Sequence, residues 1–481
     1  MEGLKGNYDV VVCGTGLTET LVSGALCQAG KHLVHFDKYD YGGCRISKGL
    51  NDFINWVTEN GEIIVNKCEE KLGTPIRNAA YAFDLMPMTM YSHDDLIQVL
   101  IDTKNFECVY LYLIDGLYYR TKDSFHSIPC SKSSIFQDKS IPMRQKRAVM
   151  KFISYFFPEA EFGHLTDTEE IQRKVEEFND KPFKDLLTDL GFNEDLNGAF
   201  EYFIALAPKP LLTKEAVPRI RYFCKSFGIY GASSLLGSAY GSSELPQLFA
   251  RHTAVYGGIY VLHHYPETVK AVNDSIELEV NEIGKITTSI LITSPIYLPS
   301  TGKTKLIAYR EVLLLTSPMF EQYHSVAVIP PNVMGNEKPV YIHQFDSSMK
   351  YCEKGQYIIH VSAMCEIRNI VDELLKELPE DSIVLRTSFV LTEPVAEVDG
   401  NGIYVVPSPS LDELVFGTNY FLSQAKEIMK RIDPTIPFYP KPTEVEVFID
   451  EEEPAKEEKK EETKEEKKEE KEENEEEKKE E

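Results

Sequence analysis

The sequence predicts an α/β fold in which a body of more than one sheet is interrupted by a smaller, all-helical domain. Three observations carry that prediction. A strand, a glycine turn, a helix and a second strand open the chain in "VVVCGTGLTETLVSGALCQAGKHLVHFDK", residues 10–38. The apolar pattern then becomes helical from about residue 140 to 228. Strand-like runs return after Gly257 and continue through "SIVLRTSFVL".

Taken in order, the opening unit is followed by "GGCRIS", a helix in "GLNDFINWVTE", and strands in "GEIIVN", "FECVYLYLIDG" and "GLYYRT". The helical stretch includes "MRQKRAVMKFISYFF" and "DLNGAFEYFIALA", with Pro182 and Pro208 as breaks. In the second, Leu196, Ala199, Phe200, Phe203 and Ile204 recur at helical spacing and form one apolar face. Strands follow in "GIYVLHH", "SIELEVNEIGKITTSILITS", "REVLLLT", "SVAVIP", "KPVYIHQF" and "GQYIIHVSA", and "LSQAKEIMKRI" is the last helix. The division expected is a discontinuous α/β domain over 1–130 and 229–450, a helical domain over 131–228, and a tail from 451 to 481. That tail is almost entirely Glu and Lys and has nothing to bury, so disorder is expected.

Composition narrows the function. The chain of 481 residues carries a net charge of −26, and the part before the tail is itself acidic. Such a body disfavours nucleic acid, whose phosphates it repels. Nine scattered cysteines without a C-x-x-C pair argue against zinc and a disulfide framework, and fit reduced thiols in the cytosol. No apolar run approaches the roughly 20 residues of a membrane span. The first residues lack the apolar core of a signal peptide.

The glycine turn reads as an incomplete dinucleotide-binding fingerprint. Gly14 would make the turn, Gly16 would admit a pyrophosphate, and Asp37 would hold a ribose. Glu19 stands where the third glycine belongs. Its carboxylate would satisfy the positive helix end and repel a phosphate, so the loop reads as vestigial: the FAD/NAD(P)-binding-like fold without a cofactor. The following "DKYDYGGCR" resembles the second glycine pair of flavin amine oxidases, which keeps a flavin-dependent enzyme open as a remote alternative.

A second stretch, "YGSSELPQLFARHTAVYGGIYVL" at 240–262, predicts a helix capped by Ser243 and starting at Glu244. Leu245, Leu248, Phe249 and Tyr256 form its apolar side, and Glu244, Gln247 and Arg251 share a polar face. An ordinary solvated face fits this pattern. A recognition surface fits it too, because a carboxylate, an amide and a guanidinium on one rigid element give oriented hydrogen bonds.

"GTGLTE", "YGGC" and the 240–262 stretch, in that order, resemble the family of Rab GDP-dissociation inhibitors and Rab escort proteins. Within it, "IPCSKSSIFQDKSIPMRQKRAVMKFI" and "DPTIPFYPKPTEVEVFID" are similar to the escort-protein version. The resemblance implies a flavoprotein monooxygenase/amine-oxidase-like fold that uses no cofactor and no metal and catalyses nothing. It implies binding of GDP-bound Rab GTPases, presentation to the Rab geranylgeranyltransferase α/β heterodimer as its component A, and shelter of the geranylgeranyl lipid, with only transient membrane contact. A Rab GDP-dissociation inhibitor that recycles prenylated Rabs is the alternative. The Rab-binding platform would be Glu244, Gln247 and Arg251, with Tyr41 from the Y-G-G turn. This chain departs from the family in having Asp40 before Tyr41 and in lacking a long insertion in the first domain.

The helical domain then acquires candidate roles. Val149, Phe152, Ile153, Leu187, Phe200, Phe203 and Phe223 are candidates to line a prenyl groove, although apolar stripes of this kind also build ordinary cores. Arg144, Lys146, Arg147 and Lys151 are candidates to meet the transferase, or else a solvated helix face. No G-x-S-x-G or H-E-x-x-H motif competes, and the adjacent His263 and His264 would point to opposite faces of a strand.

Overall fold

The computed structural model describes residues 6–439, apart from 44–45, 74–76, 131, 140, 157–167, 274, 300, 397, 399 and 412–415. The Glu/Lys-rich tail expected to be disordered lies outside the described residues.

The opening unit forms as predicted. Strand β1 (Asn7–Cys13) leads through the glycine turn into helix α1 (Leu17–Gln28), and the chain returns in β2 (Leu33–Asp37). Five of the seven residues of β1 and all five of β2 are buried, as a strand covered on both faces requires. Five later strands complete this sheet: β3 (Ile259–Leu262), β4 (Pro266–Val272), β5 (Ser275–Val280), β6 (Gly284–Thr293) and β7 (Ile403–Val405). Their order is β3-β2-β1-β6-β5-β4, with β7 also on β6. The pairs among β3, β2, β1, β6 and β7 are parallel, and β4–β5–β6 are antiparallel.

A second sheet of eight strands runs in the order Gly61–Asn66, Ile383–Pro394, Thr304–Leu315, Tyr357–Ala363, Val340–Asp346, Ser325–Ile329, Gly116–Arg120 and Phe125–Ser127. Between residues 131 and 228 the described elements are helical, including α2 (Met143–Phe156) and Thr213–Ser226. Their apolar faces merge with one face of the eight-stranded sheet into one core, where Gly198 lies against Pro330 and Tyr341 Oη donates to Tyr202 O at 3.1 Å.

Several expectations need correction. "FECVYLYLIDG" is not one strand: it is a 3-10 turn over Asn105–Cys108 and a short strand over Leu111–Leu113. Lys104, with φ of 58°, leads the chain into that turn. "DLNGAFEYFIALA" is α-helical only to Ala199 and widens into a π-helical turn over Phe200–Ile204. The apolar face read from its spacing is nonetheless buried throughout. Pro218 lies inside the helix Thr213–Ser226, at a position past its first turn. His263 is not on a strand, because its φ of 60° places it in the turn after β3. Among the described residues no helix is long and apolar enough to cross a membrane.

Candidate functional site

The predicted recognition helix, α3 (Glu244–Val255), packs its inner face of Leu245, Leu248 and Phe249 against α1. Helix α4 (Asn419–Ile432) also packs on α1. Ser243 is the N-cap residue, but its hydroxyl does not cap the helix. It accepts instead from Gln247 Nε2 at 3.1 Å. Tyr256, expected on the apolar side, is 47 % exposed, because it follows the last helical turn and faces outward.

The start of α3 is anchored by a residue the sequence did not single out. Asp84 is fully buried, and its carboxylate accepts from Ser242 N at 2.9 Å, Ser242 Oγ at 2.8 Å, Ser47 Oγ at 2.5 Å and Tyr351 Oη at 3.0 Å. Burial raises its pKa, and these donors oppose the rise. Ser47 Oγ also accepts from Ser243 N at 3.1 Å. The chain reverses into α3 at Gly241, whose φ of 104° suits glycine and whose Cβ would sit 2.3 Å from Ser47 Oγ. The legible signal was "YGSSE", a glycine followed by two hydroxyls before a helix, which calls for an acceptor.

The Y-G-G turn is pressed against the same place. Gly42 has φ of 121°, and a Cβ there would meet Ile46 Cα at 3.0 Å and Ser243 Cβ at 3.1 Å. Its N–H donates to Thr15 O at 3.1 Å and Thr15 Oγ1 at 3.2 Å. Tyr41 therefore comes to lie beside Tyr260, with ring centroids 5.7 Å apart, and Tyr260 stacks on His35 at 4.3 Å.

Tyr41, Glu244, Gln247 and Arg251 thus surround one surface concavity of about 420 Å³. Gln247 and Arg251 are exposed, while Tyr41 and Glu244 are half-buried. Burial raises the pKa of the Glu244 carboxyl and of the Tyr41 phenol. Cys108 and Tyr260 also line the hollow, and neither was foreseen. Arg251 Nη1 approaches Cys108 Sγ at 3.6 Å across the 3-10 turn.

The glycine loop faces another cavity, of about 220 Å³, at the C-terminal ends of β1 and β6. That is the switch point where open α/β sheets bind ligands. Glu19 is only 6 % exposed and folds back over the loop, so that a Cβ on Gly16 would sit 2.5 Å from its Oε2 and one on Gly14 3.0 Å from its Oε1. The space a pyrophosphate would use holds a carboxylate. Burial is the main cause that pushes the Glu19 pKa up to about 8; its own backbone N–H opposes this, and Asp37 and Glu393 add to it. Asp37 is committed as well. It accepts from Thr15 Oγ1 at 2.7 Å, Tyr297 Oη at 2.7 Å and Tyr39 N at 2.8 Å. A bound dinucleotide would have to displace both acids, so these residues do not fit FAD or NAD(P). Gly14, Gly16, Glu19 and Asp37 remain together as structure.

With the fold and this geometry in view, comparison with known proteins decides the family. The GDP dissociation inhibitor family matches residues 4–413. The chain belongs to that family. A Rab proteins geranylgeranyltransferase component A of Drosophila melanogaster is 23% identical, with 95% of this chain and 94% of that protein covered. A Rab GDP-dissociation inhibitor of Saccharomyces cerevisiae is 26% identical, with 76% and 81% covered. Among solved structures, a Rab GDI from Plasmodium falciparum superposes with a TM-score of 0.70 at 18% identity, over 90% of this chain and all of that one. An oxidoreductase from Methanosarcina mazei superposes at 0.55 with 12% identity over 86% and 99%, so the α/β fold is shared with an oxidoreductase as well.

In this GDI-family fold the prenyl candidates are packed into the helical side of the core. Val149, Phe152, Ile153, Leu187, Phe200, Phe203 and Phe223 are all buried, and none of them borders a described cavity. The Phe152 ring meets Phe156, Phe192 and Phe200, and Phe203 meets Phe223 and Phe416.

The four basic candidates divide. Arg144 and Arg147 are exposed on α2, whereas Lys146 is buried and donates to Phe136 O at 2.8 Å, and Lys151 pairs with Glu170. Two apolar side chains of the same segment, Phe136 and Met143, are exposed as well, and sequence reasoning passed them over. Among the described residues no group of three His, Cys, Asp or Glu side chains is placed to hold a metal.

Proposed function

We propose that this chain is a Rab escort protein: it binds newly made, GDP-bound Rab GTPases, presents them to the Rab geranylgeranyltransferase heterodimer, and keeps the prenylated product soluble until delivery. The observation that carries the reading is the convergence of Tyr41, Glu244, Gln247 and Arg251 on one concavity, backed by a helix whose inner face is core. A half-buried carboxylate beside an exposed guanidinium and an aromatic ring is the composition of an interface hot spot. The role is non-catalytic. It needs no cofactor, and the filled glycine loop supports that.

The exposed patch of Phe136, Met143, Arg144 and Arg147 is the proposed transferase contact. Apolar and guanidinium groups side by side suit a partner surface, and the same segment is the one that resembles escort proteins. Lipid shelter asks more of the fold. A C20 chain gains on the order of 10 kcal/mol on leaving water, at about 0.8 kcal/mol per methylene. The closed packing around Phe152 means the helices must part to take it.

Reconstituted prenylation tests the reading. Unprenylated Rab, the transferase heterodimer and geranylgeranyl diphosphate should show prenylation that depends on this protein. Extraction of prenylated Rab from membranes without any stimulation of prenylation would assign it instead as a GDP-dissociation inhibitor, a reading favoured by relatives of that name.

A further inference from the structure

The cavity beneath the glycine loop is walled by Ile46, Leu85, Ile307, Leu391 and Phe421, and Glu19 projects into it. Glu19 is more than nine-tenths buried, yet among the described residues no other side chain or backbone donor reaches its carboxylate; only its own N–H does. The neighbouring acids differ. Asp37 is saturated by Thr15, Tyr39 and Tyr297, and Glu393 accepts from Ser408 N at 2.7 Å and Ser408 Oγ at 2.6 Å. Among the described residues, one acid of the three is therefore left without a donor, at the end of an apolar chamber.

A buried carboxylate of this kind is stabilised by a ligand that brings donors and positive charge. An anion would meet Glu19, Asp37 and Glu393 together. A neutral alcohol would supply a single donor and no charge. We infer that this cavity binds a short aliphatic ammonium ion, with its nitrogen on Glu19 and its alkyl stem along Ile307 and Leu391. The ligand class is a primary alkylamine or small diamine, and the chamber is a binding site distinct from the hollow outside α3. The inference does not depend on the Rab reading.

Binding an ammonium ion requires Glu19 to ionise, and burial keeps it protonated up to about pH 8. Affinity should therefore rise by tens of fold between about pH 6 and pH 8, with protons released to buffer at the lower pH. The other titratable groups facing the chamber are Asp37, Glu393, Lys48, Tyr39 and Tyr297. Asp37 and Glu393 already accept from donors of their own, so Glu19 is expected to set this dependence.

The experiment is calorimetric titration of the full chain with n-butylamine, with 1-butanol and butyrate as controls. The wild type should bind the amine alone. Glu19→Gln should weaken it at least about tenfold, because it exchanges an ion pair for a neutral contact. Leu391→Phe, which fills the chamber and leaves Glu19 intact, should abolish binding and keeps the test decisive if Glu19→Gln misfolds. Absence of amine binding to the wild type would overturn the inference, and so would affinity undiminished in Glu19→Gln.

Discussion

The glycine loop and the α3 face lie on either side of the Y-G-G turn, and the two regions treat their polar groups in opposite ways. At the loop, Glu19 and Asp37 are turned inward and buried. At α3, Gln247 and Arg251 are turned outward, and only the roots of the site are buried: Asp84 under the helix start and Phe249 under its middle. Gly42 joins the regions, donating to Thr15 on one side and packing on Ser243 on the other. The comparison teaches that a scaffold can keep the architecture of a nucleotide cleft, fill the cleft with its own side chains, and gather a polar cluster on an outer surface. Rigidity is shared between the two regions, and chemistry is not.

The largest expected effect breaks both regions at once. Phe249→Ala empties a fully buried position between α3 and α1, beside the Tyr439 ring. It should destabilise the protein by about 3–5 kcal/mol in denaturant unfolding. Retention of full stability would show that α3 is not rooted in the common core.

Next comes Glu19, which separates the loop from the helix. The folded protein holds its proton up to about pH 8, whereas a free glutamate loses it near 4.5. The folded state binds more protons through that window, so wild-type stability falls as pH rises through it. Glu19→Gln should therefore be more stable than wild type by roughly 2–4 kcal/mol at pH 8, with the difference vanishing near pH 4. Rab affinity should not change. Parallel pH profiles of the two proteins would mean that Glu19 titrates normally.

On the outer face, Arg251→Ala should weaken Rab binding by about 1–3 kcal/mol in a binding titration while leaving the unfolding midpoint in place. The smallest effect belongs to Gln247→Ala. It loses the bond to Ser243 and one exposed donor, and should change Rab affinity by about 1 kcal/mol or less. A larger loss from Gln247 than from Arg251 would relocate the centre of the platform.

Much of this was legible because its causes are local. The β-α-β unit follows from the apolar run, the glycine turn and the returning strand, and the polar stripe on α3 follows from helical spacing. Other features were illegible because their causes are distant in sequence. Asp84 supports Ser242 from 158 residues away, and Cys108 reaches Arg251 across 143 residues. The basic run on α2 looked uniform, yet one lysine is spent on the Phe136 carbonyl and another on Glu170. Spacing says which residues share a helix and is silent on what the helix is pressed against.

By itself the sequence determined that a glutamate replaces the third glycine, that an acid, an amide and a guanidinium share one face of a helix, and that apolar residues stripe the helical region. Only the tertiary structure decided that Glu19 folds back into the loop it displaced, that the Y-G-G turn brings Tyr41 to the helix, and that the seven candidate lipid contacts are buried in one core. Helix and strand patterns are properties of neighbours along the chain. Burial, partnership and access depend on which distant segments meet, and those meetings are set by the packing of the whole.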